Sequence, residues 1–573
     1  MSAPAFPARQ AARLATFAPA QARMLEAAIE CHLKGKHGEA AALYQRLIIV
    51  APGDFRLNHL LGGLRLQQGR PDEALALLER ARKSRPNSAP TLVCLAMALN
   101  AVGRAEEGEK ALRRALDVNP RSEEAWNNLG ALQLGQGRVP DALVSCGRAL
   151  ELKPGFAPAW TALGSALHLS GRLEEAVVAH ARALELDPAN PQARIGRGQA
   201  LQGCHRVEEA LADFETQLAA RPGDLKAMSA RLFLLNFRDD LSPEVLAAEH
   251  AAFGRAAEAA ARVRGPDAAP ERVGESGGRL RLAMVSPDLR SHSVAWFLEP
   301  LLRHLDRSQF ELTLYHDHPL FDSVSERFRR LADRWRRVAG LPDEAFESLV
   351  RRDAPDILID LAGHSGFNRV GVFARRLAPV QITYLGYPNT TGLVQMDYRF
   401  TDAVADPPGH ADRLHTERLV RFSPTAWAFS PPEEALAPLA PRGAAVAGSV
   451  VFGSFNALSK LNPATLRLWR EVLEAVPGSR LVLKSPSLVA DHWRRKLELA
   501  GLEAARVELR EATPTREGHF AAYGEIDVAL DPVPYNGTTT TCDALWMGVP
   551  VVTLAGKRSM SRSAASILTS VGR

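Results

Sequence analysis

Pro52, Pro86, Pro120, Pro154, Pro188 and Pro222 stand 34 residues apart. A fixed period of this size marks stacked helical hairpins, each unable to bury its apolar face without a neighbour. Gly35, Gly69, Gly103, Gly137 and Gly171 keep the same step, and His205 breaks it at the sixth rung. Five residues after each rung comes a small side chain: Ala40, Ala74, Gly108, Ala142, Ala176 and Ala210. Four residues before the prolines come Ile48, Leu116, Leu150, Leu184 and Leu218, with Arg82 the exception. Glycine admits the turn between the helices of a hairpin. The small residue lets the second helix approach the first, and proline ends that helix.

Trp126-x-x-Leu129-Gly130 and Trp160-x-x-Leu163-Gly164 complete the tetratricopeptide pattern. Residues 18–222 therefore read as a tetratricopeptide superhelix, a surface for holding protein segments. Such arrays often self-associate, so a homo-oligomer is compatible with this reading. The remaining chain must supply whatever is done to the bound protein.

Composition removes several alternatives. Hydrophobic residues make up 46% and charged residues 24%, ordinary for a globular chain with a large core. The net charge of +5 comes from basic residues dispersed among acids, not from the clustered stripe that nucleic acid requires. Cys31, Cys94, Cys146, Cys204 and Cys542 are too far apart in sequence for a zinc clip or redox pair. The four in the repeats read as small core fillers, a usage that fits a reducing compartment. Met1 to Arg23 has no apolar core followed by a cleavage site, and no run approaches membrane-spanning length. The expectation is a soluble, cytoplasmic protein with neither nucleic acid nor membrane as partner.

Residues 223–278 read as a helical extension, with Pro243 to Ala261 helical, followed by a linker rich in Gly, Pro and charge. From Arg279 short apolar runs alternate with helical stretches. Strands are expected at Leu280–Val285, Phe310–Tyr315, Asp356–Leu361 and Val380–Leu385. After a proline-rich interval from Ser423 to about Pro441, others are expected at Val450–Phe455, Arg480–Leu483, Val507–Arg510, Ile526–Leu530 and Val551–Leu554. This alternation predicts parallel sheets covered by helices. The fold class is thus an all-α repeat array followed by an α/β region of two Rossmann-like lobes, 279–425 and 426–573. Ligands of such lobes bind beyond the carboxyl ends of the strands.

Four segments occupy those positions. In Tyr535-Asn536-Gly537-Thr538-Thr539-Thr540-Thr541-Cys542-Asp543, the Asn-Gly pair turns the chain and the threonines cover the first turn of a helix. A helix start offers free N–H groups and the positive end of a dipole, suited to a diphosphate, with Asp543 placed for ribose hydroxyls. In Phe452-Gly-Ser-Phe455-Asn456-Ala-Leu-Ser-Lys460, a strand ends near Asn456 and Lys460 lies in the following loop, where a cation neutralises a leaving pyrophosphate. His292, in Ser286-Pro-Asp288-Leu-Arg290-Ser-His292, falls in the first strand-to-helix loop and reads either as a helix cap or as a group that orients substrate or takes a proton. Gly386, Tyr387 and Pro388 follow another strand and read as a wall for sugar or acceptor, and His364 is a weaker candidate of the same type. His316-Asp317-His318 is a ligand-like cluster far from these motifs and reads as structural, so no metal is expected.

Together these segments resemble the catalytic region of the nucleocytoplasmic protein O-GlcNAc transferases and their SPINDLY-type relatives, which also carry tetratricopeptide repeats in front. The resemblance spans about residues 20 to 573. It implies a GT-B fold and metal-free, inverting transfer of GlcNAc from UDP-GlcNAc to Ser or Thr of a protein. His292 matches the family's active-site histidine, and Lys460 its phosphate-contacting lysine. Thr539, Thr540 and Asp543 match the positions that hold the diphosphate and ribose, and His519 matches a histidine at the nucleotide base; Asn456, Gly537 and Thr538, from the same two segments, are expected to line the nucleotide-sugar site with them.

Two departures bear on the reading. Animal members carry histidine where this chain has Thr538, whereas bacterial members and the SPINDLY branch carry a threonine run, and that branch uses GDP-fucose. The donor is therefore UDP-GlcNAc or GDP-fucose. The chain stops at Arg573, where family members continue through further helices, so the second lobe is expected to be incomplete. The alternative from another class is a repeat scaffold with an inert catalytic half.

Overall fold

The computed structural model describes residues 17–263, 278–432, 435, 449–485 and 490–572. The expected linker at 264–277 lies outside the described residues, as do 433–434 and 436–448, which take in part of the proline-rich interval. The protein is a helical tetratricopeptide array followed by a parallel-sheet α/β region of GT-B type. Its contacts divide it into two compact units: residues 1–193 with 340–345, and residues 194–339 with 346–573.

In the first unit, helices run in antiparallel pairs, beginning Pro19–Leu33 with His37–Val50 and Phe55–Gln67 with Pro71–Ser84. Gly35, Gly69, Gly103, Gly137 and Gly171 all take positive φ, between 71° and 80°, which explains the glycine rungs. Ala40, Ala74, Ala142 and Ala176 are fully buried where the paired helices meet. The Trp126 and Trp160 indoles donate to the carbonyls of Pro120 and Pro154 at 3.0 and 2.9 Å. Tryptophan thus ties each helix start to the proline turn before it, and Asn58 does the same at Pro52, at 2.8 Å.

The second unit begins within the sixth repeat. It carries Val207–Ala220, Leu225–Leu235 and Pro243–Val263, followed by two sheets. The first sheet comprises β1 (Leu280–Ser286), β2 (Phe310–His316), β3 (Arg334–Arg337), β4 (Ile357–Asp360), β5 (Val380–Thr383), β6 (Tyr398–Asp402) and β7 (Arg418–Phe422). Its order is β3-β2-β1-β4-β5-β6-β7, parallel throughout. The second comprises β8 (Val451–Ser454), β9 (Arg480–Ser485), β10 (Val507–Glu511), β11 (Val528–Leu530) and β12 (Val551–Val552), ordered β10-β9-β8-β11-β12 and also parallel. Each lobe therefore has the layered core that the alternating pattern predicts.

The lobes share packing. Cys542 and Ile567, from the second lobe's helices, are buried in the apolar cluster that contains Leu282, Trp296 and Leu314 of the first. Ser566 donates to Asp402 at the end of β6, at 2.6 Å.

The helical extension is built into this unit through a buried polar seam. His250 donates from Nδ1 to Leu246 O (2.6 Å), and its Nε2 accepts the Tyr387 hydroxyl (2.7 Å), which in turn accepts from Asn236 (2.8 Å). His364 accepts from Ser229 at 2.9 Å and donates to Thr391 O at 3.0 Å. This corrects two expectations. The Tyr387 ring is buried against the extension, so its side chain packs the seam and is no open wall. A Cβ on the neighbouring Gly386 would meet Leu361 O at 1.8 Å, so that residue is locked into lobe packing, with half-buried Pro388 next in sequence. His364 belongs to the same seam.

Candidate functional site

Three of the named groups meet where β8 and β11 end. Asn456, two residues past β8, is buried, and its Oδ1 accepts from Lys460 Nζ at 3.1 Å and from Thr540 Oγ1 at 3.1 Å. Lys460 also donates to the Asn536 carbonyl at 2.8 Å, and its ammonium lies 4.6 Å from the Tyr535 ring centre. The short helical turn Leu458–Lys460 and the following helix Pro463–Ala475, capped by Asn462, hold the lysine there. Burial lowers the Lys460 pKa to about 8, against a smaller opposing pull from Asp531.

Asp531 follows β11 and shapes the opposite wall. Its carboxylate accepts the Gly537 N–H at 2.6 Å and the Thr553 hydroxyl at 2.7 Å. Burial raises its pKa to about 6. A Cβ on Gly537 would meet Thr540 Oγ1 at 2.4 Å and Asp531 Oδ1 at 2.9 Å, so a side chain here would have to displace both. Thr538 is the N-cap of the helix Thr539–Trp546 and makes no side-chain cap bond. The first-turn N–H groups of a helix have no partner within it, so this tip presents donors and a positive dipole end beside the Lys460 ammonium.

One turn into that helix, Asp543 is 1% exposed. Its Oδ2 lies 3.2 Å from His519 Nε2, whereas its buried Oδ1 has no hydrogen-bond partner. An orphaned carboxylate oxygen in a buried position is free to accept a hydrogen bond from water or a ligand. The His519 pKa is lowered, chiefly by burial. Lys484 at the end of β9 reaches His519 Nδ1 at 3.0 Å and lies 4.4 Å from the centre of the Phe455 ring. Burial lowers its pKa also to about 8. Arg516 lies between the rings of Trp296 and Phe520, at 4.9 and 5.0 Å, and its Nε and Nη2 are buried without a hydrogen-bond partner. Lys484, Arg516 and Asp531 are polar groups of this region that the sequence pattern did not single out.

His292 stands after β1 as the N-cap of the helix Ser293–Arg303. Its Nδ1 accepts the Val294 N–H at 3.3 Å and lies 3.4 Å from Asp288 Oδ1. The capping role is therefore real, and it spends Nδ1. In the neutral ring Nε2 then carries the proton, so the histidine presents a donor. Burial lowers its pKa, favouring that neutral form. Trp296, one turn on, meets Arg516 of the second lobe, so the loop bearing His292 borders that lobe.

The ligand-like cluster is held by local partners. His316 Nε2 donates to Leu320 O at 2.9 Å, Asp317 pairs with Arg369 at 2.6 Å, and His318 accepts from the Leu320 N–H at 3.1 Å. Among the described residues, no group of three or more His, Cys, Asp or Glu side chains is placed to hold a metal ion.

Comparison with known proteins adds to this geometry. Glycosyl transferase family 41 matches residues 243–429 and 444–573. The chain belongs to that family. Tetratricopeptide repeat families match residues 32–93, 95–155 and 164–203. The chain is 42% identical over 301 residues to the probable UDP-N-acetylglucosamine–peptide N-acetylglucosaminyltransferase SPINDLY of Oryza sativa subsp. japonica. That match covers 51% of this chain and 32% of the relative. A UDP-N-acetylglucosamine–peptide N-acetylglucosaminyltransferase of Caenorhabditis elegans is 25% identical over 417 residues, covering 52% and 36%. The chain thus spans about a third of the length of these curated relatives. A solved mutant of the Thermobaculum terrenum O-GlcNAc transferase matches over 84% of this chain and 85% of its own, with 35% identity and a TM-score of 0.57. Among the described residues, no helix is long and apolar enough to cross a membrane.

Proposed function

We propose that this family 41 chain is a protein O-glycosyltransferase that moves GlcNAc from UDP-GlcNAc, with inversion, to a Ser or Thr hydroxyl of proteins held by the repeats. The observation that carries this reading is the convergence on Asn456: an ammonium, a threonine hydroxyl and an uncapped helix tip lie together beside a buried carboxylate with a free oxygen. In this reading the acceptor oxygen attacks the anomeric carbon and the bond from that carbon to the diphosphate breaks. The electron pair leaves on UDP. Lys460 and the Thr538–Thr540 tip meet the charge that develops there, an interaction strongest in a site with little water. Asp543 Oδ1 accepts from a ribose hydroxyl, and His519 lies beside the base. His292 supplies an N–H to orient sugar or acceptor, and a donor phosphate oxygen takes the acceptor proton. No cofactor or metal is required. The reaction suits a cytoplasmic protein, and the repeats remain compatible with self-association.

The names of the similar proteins favour UDP-GlcNAc, whereas the threonine run keeps GDP-fucose as the competing donor. Calorimetric titration of the full chain with UDP, UDP-GlcNAc, GDP and GDP-fucose separates them. Saturable binding of the uridine pair alone is the expected result. Binding of the guanosine pair alone replaces the donor, and binding of neither overturns the transferase reading.

A further inference from the structure

Lys484 is a buried cation on a strand, 3% exposed, in a lobe whose other strand residues there are mostly apolar. A protonated lysine has donors and no lone pair. Two of its three N–H groups reach His519, at Nδ1 (3.0 Å) and at the carbonyl oxygen (3.3 Å). The ammonium is also seated against the face of Phe455. Because Lys484 can only donate, His519 Nδ1 must accept. The imidazole proton then sits on Nε2, 3.2 Å from Asp543 Oδ2, where it is donated to the carboxylate. The order of donation is fixed from Lys484 through His519 to Asp543.

We propose that Lys484 is a positioning residue of the nucleotide site: it holds His519 as the neutral Nε2–H tautomer and thereby turns Asp543 so that only Oδ1 faces a ligand. This rests on the nucleotide-binding reading of the site given above. It has a consequence for recognition. Both His519 nitrogens are spent inside the protein, so the ring meets a base by its face and C–H edge and reads no hydrogen-bond pattern. Asp543 becomes the single acceptor offered beside it.

The charges around the imidazole set the pH response. Lys484 from β9 and Arg516 from the same helix as His519 oppose protonation, and Asp543 from the Thr539–Trp546 helix favours it. Arg510 and Glu525 act on Lys484 in turn, with opposite signs. Removing the Lys484 charge therefore raises the His519 pKa.

The test uses full-length protein labelled with 15N-histidine, with the His519 signals assigned by their loss in His519→Gln. The parent is expected to show an unprotonated Nδ1 and a protonated Nε2 across pH 6.5–7.5, where Lys484 is still largely protonated. In Lys484→Met the titration midpoint of His519 moves up, and Lys484→Arg, which keeps a charged donor, restores the parent midpoint. By calorimetry at pH 7, where Lys484 is protonated, UDP binds Lys484→Met about three- to tenfold more weakly than the parent, the scale of one lost hydrogen bond, with Lys484→Arg again close to the parent. A protonated Nδ1 in the parent, or an unmoved midpoint in Lys484→Met, overturns the proposal. If the tautomer and midpoints behave as expected but UDP does not bind the parent, the nucleotide site is refuted while the Lys484–His519 assignment stands.

Discussion

Replacing Lys460 by methionine should separate stability from activity. The ammonium is fixed by hydrogen bonds to Asn456 Oδ1 and Asn536 O and lies over Tyr535. Burial nevertheless brings its pKa from the ordinary 10.5 to about 8. That difference corresponds to about 3 kcal/mol of penalty on the charged form at neutral pH. Methionine removes the penalty at similar volume but gives up two hydrogen bonds, about 1 kcal/mol each. At pH 7 the variant should be as stable as the parent or about 1 kcal/mol more stable. The pH dependence carries a definite sign. The folded-state pKa lies below the unfolded one, so between about pH 8 and 10.5 the unfolded parent binds more protons than the folded parent. Parent stability therefore rises through that window relative to the variant, by up to about 3 kcal/mol. Lys484 titrates in the same range but is present in both proteins and drops out of the difference. Urea unfolding followed by tryptophan fluorescence at pH 7 and pH 10 measures this, since Trp469 and Trp493 are buried in the second lobe. Sugar transfer by the variant should fall by about 10²–10³-fold. A variant destabilised by more than about 2 kcal/mol at pH 7, with no difference in pH response, would refute the reasoning about burial; retention of a tenth of the activity would refute the role in charge stabilisation.

Other outcomes follow from the same contacts. Gly392→Ala should cost about 3 kcal/mol or more in a chemical melt of the second unit, since its φ is +78° and a Cβ would meet His250 O at 2.0 Å; a loss under 1 kcal/mol would mean that the extension does not hold this seam in solution. His205→Gly should stabilise the sixth hairpin by about 0.5–1 kcal/mol, because His205 has φ +61° where the other rungs are glycine, and a loss of stability would show that its contact with Ser485, at 3.3 Å, outweighs the backbone strain. Asp543→Asn should weaken UDP binding about tenfold by calorimetry, and unchanged affinity would remove Asp543 from the site. Transfer should fall as pH rises above about 8, when Lys460 loses its proton; in a pH–rate series, a rate that climbs from pH 8 to 9 would exclude a charged Lys460 as the active form.

The repeats were legible because one backbone requirement, a left-handed turn at each hairpin, recurs at a fixed step and admits few residues. Strands β1, β2, β4 and β5 were legible as apolar runs. β3, β6 and β7 were not, since Arg334 and Arg336, Arg399 and Asp402, and Arg418 and Arg421 interrupt them in turn. Arg399 is buried in the sheet because it donates to the Tyr387 and Asn389 carbonyls, a partnership between segments that no local pattern displays. The same cause hid Lys484. The expected strand at Arg480–Leu483 stopped one residue short of it, and a lysine at a strand end reads as solvent-exposed until His519 and Phe455 are brought against it by the fold. Tyr387 erred in the opposite direction: a strand-end position suggested the site, but the extension helices cover it. The broken rung at His205 was visible in the sequence, whereas its position against the end of β9 was not.

The proposed function requires sugar to move from a nucleotide to protein hydroxyls. Incubating the full chain with UDP-[14C]GlcNAc and cell protein, with Lys460→Met alongside, measures this directly. The expected label stays with protein, is released by alkaline β-elimination as for a Ser or Thr linkage, and is absent when the variant is used. Label that is absent from the parent, or equal in both proteins, would contradict the proposed function.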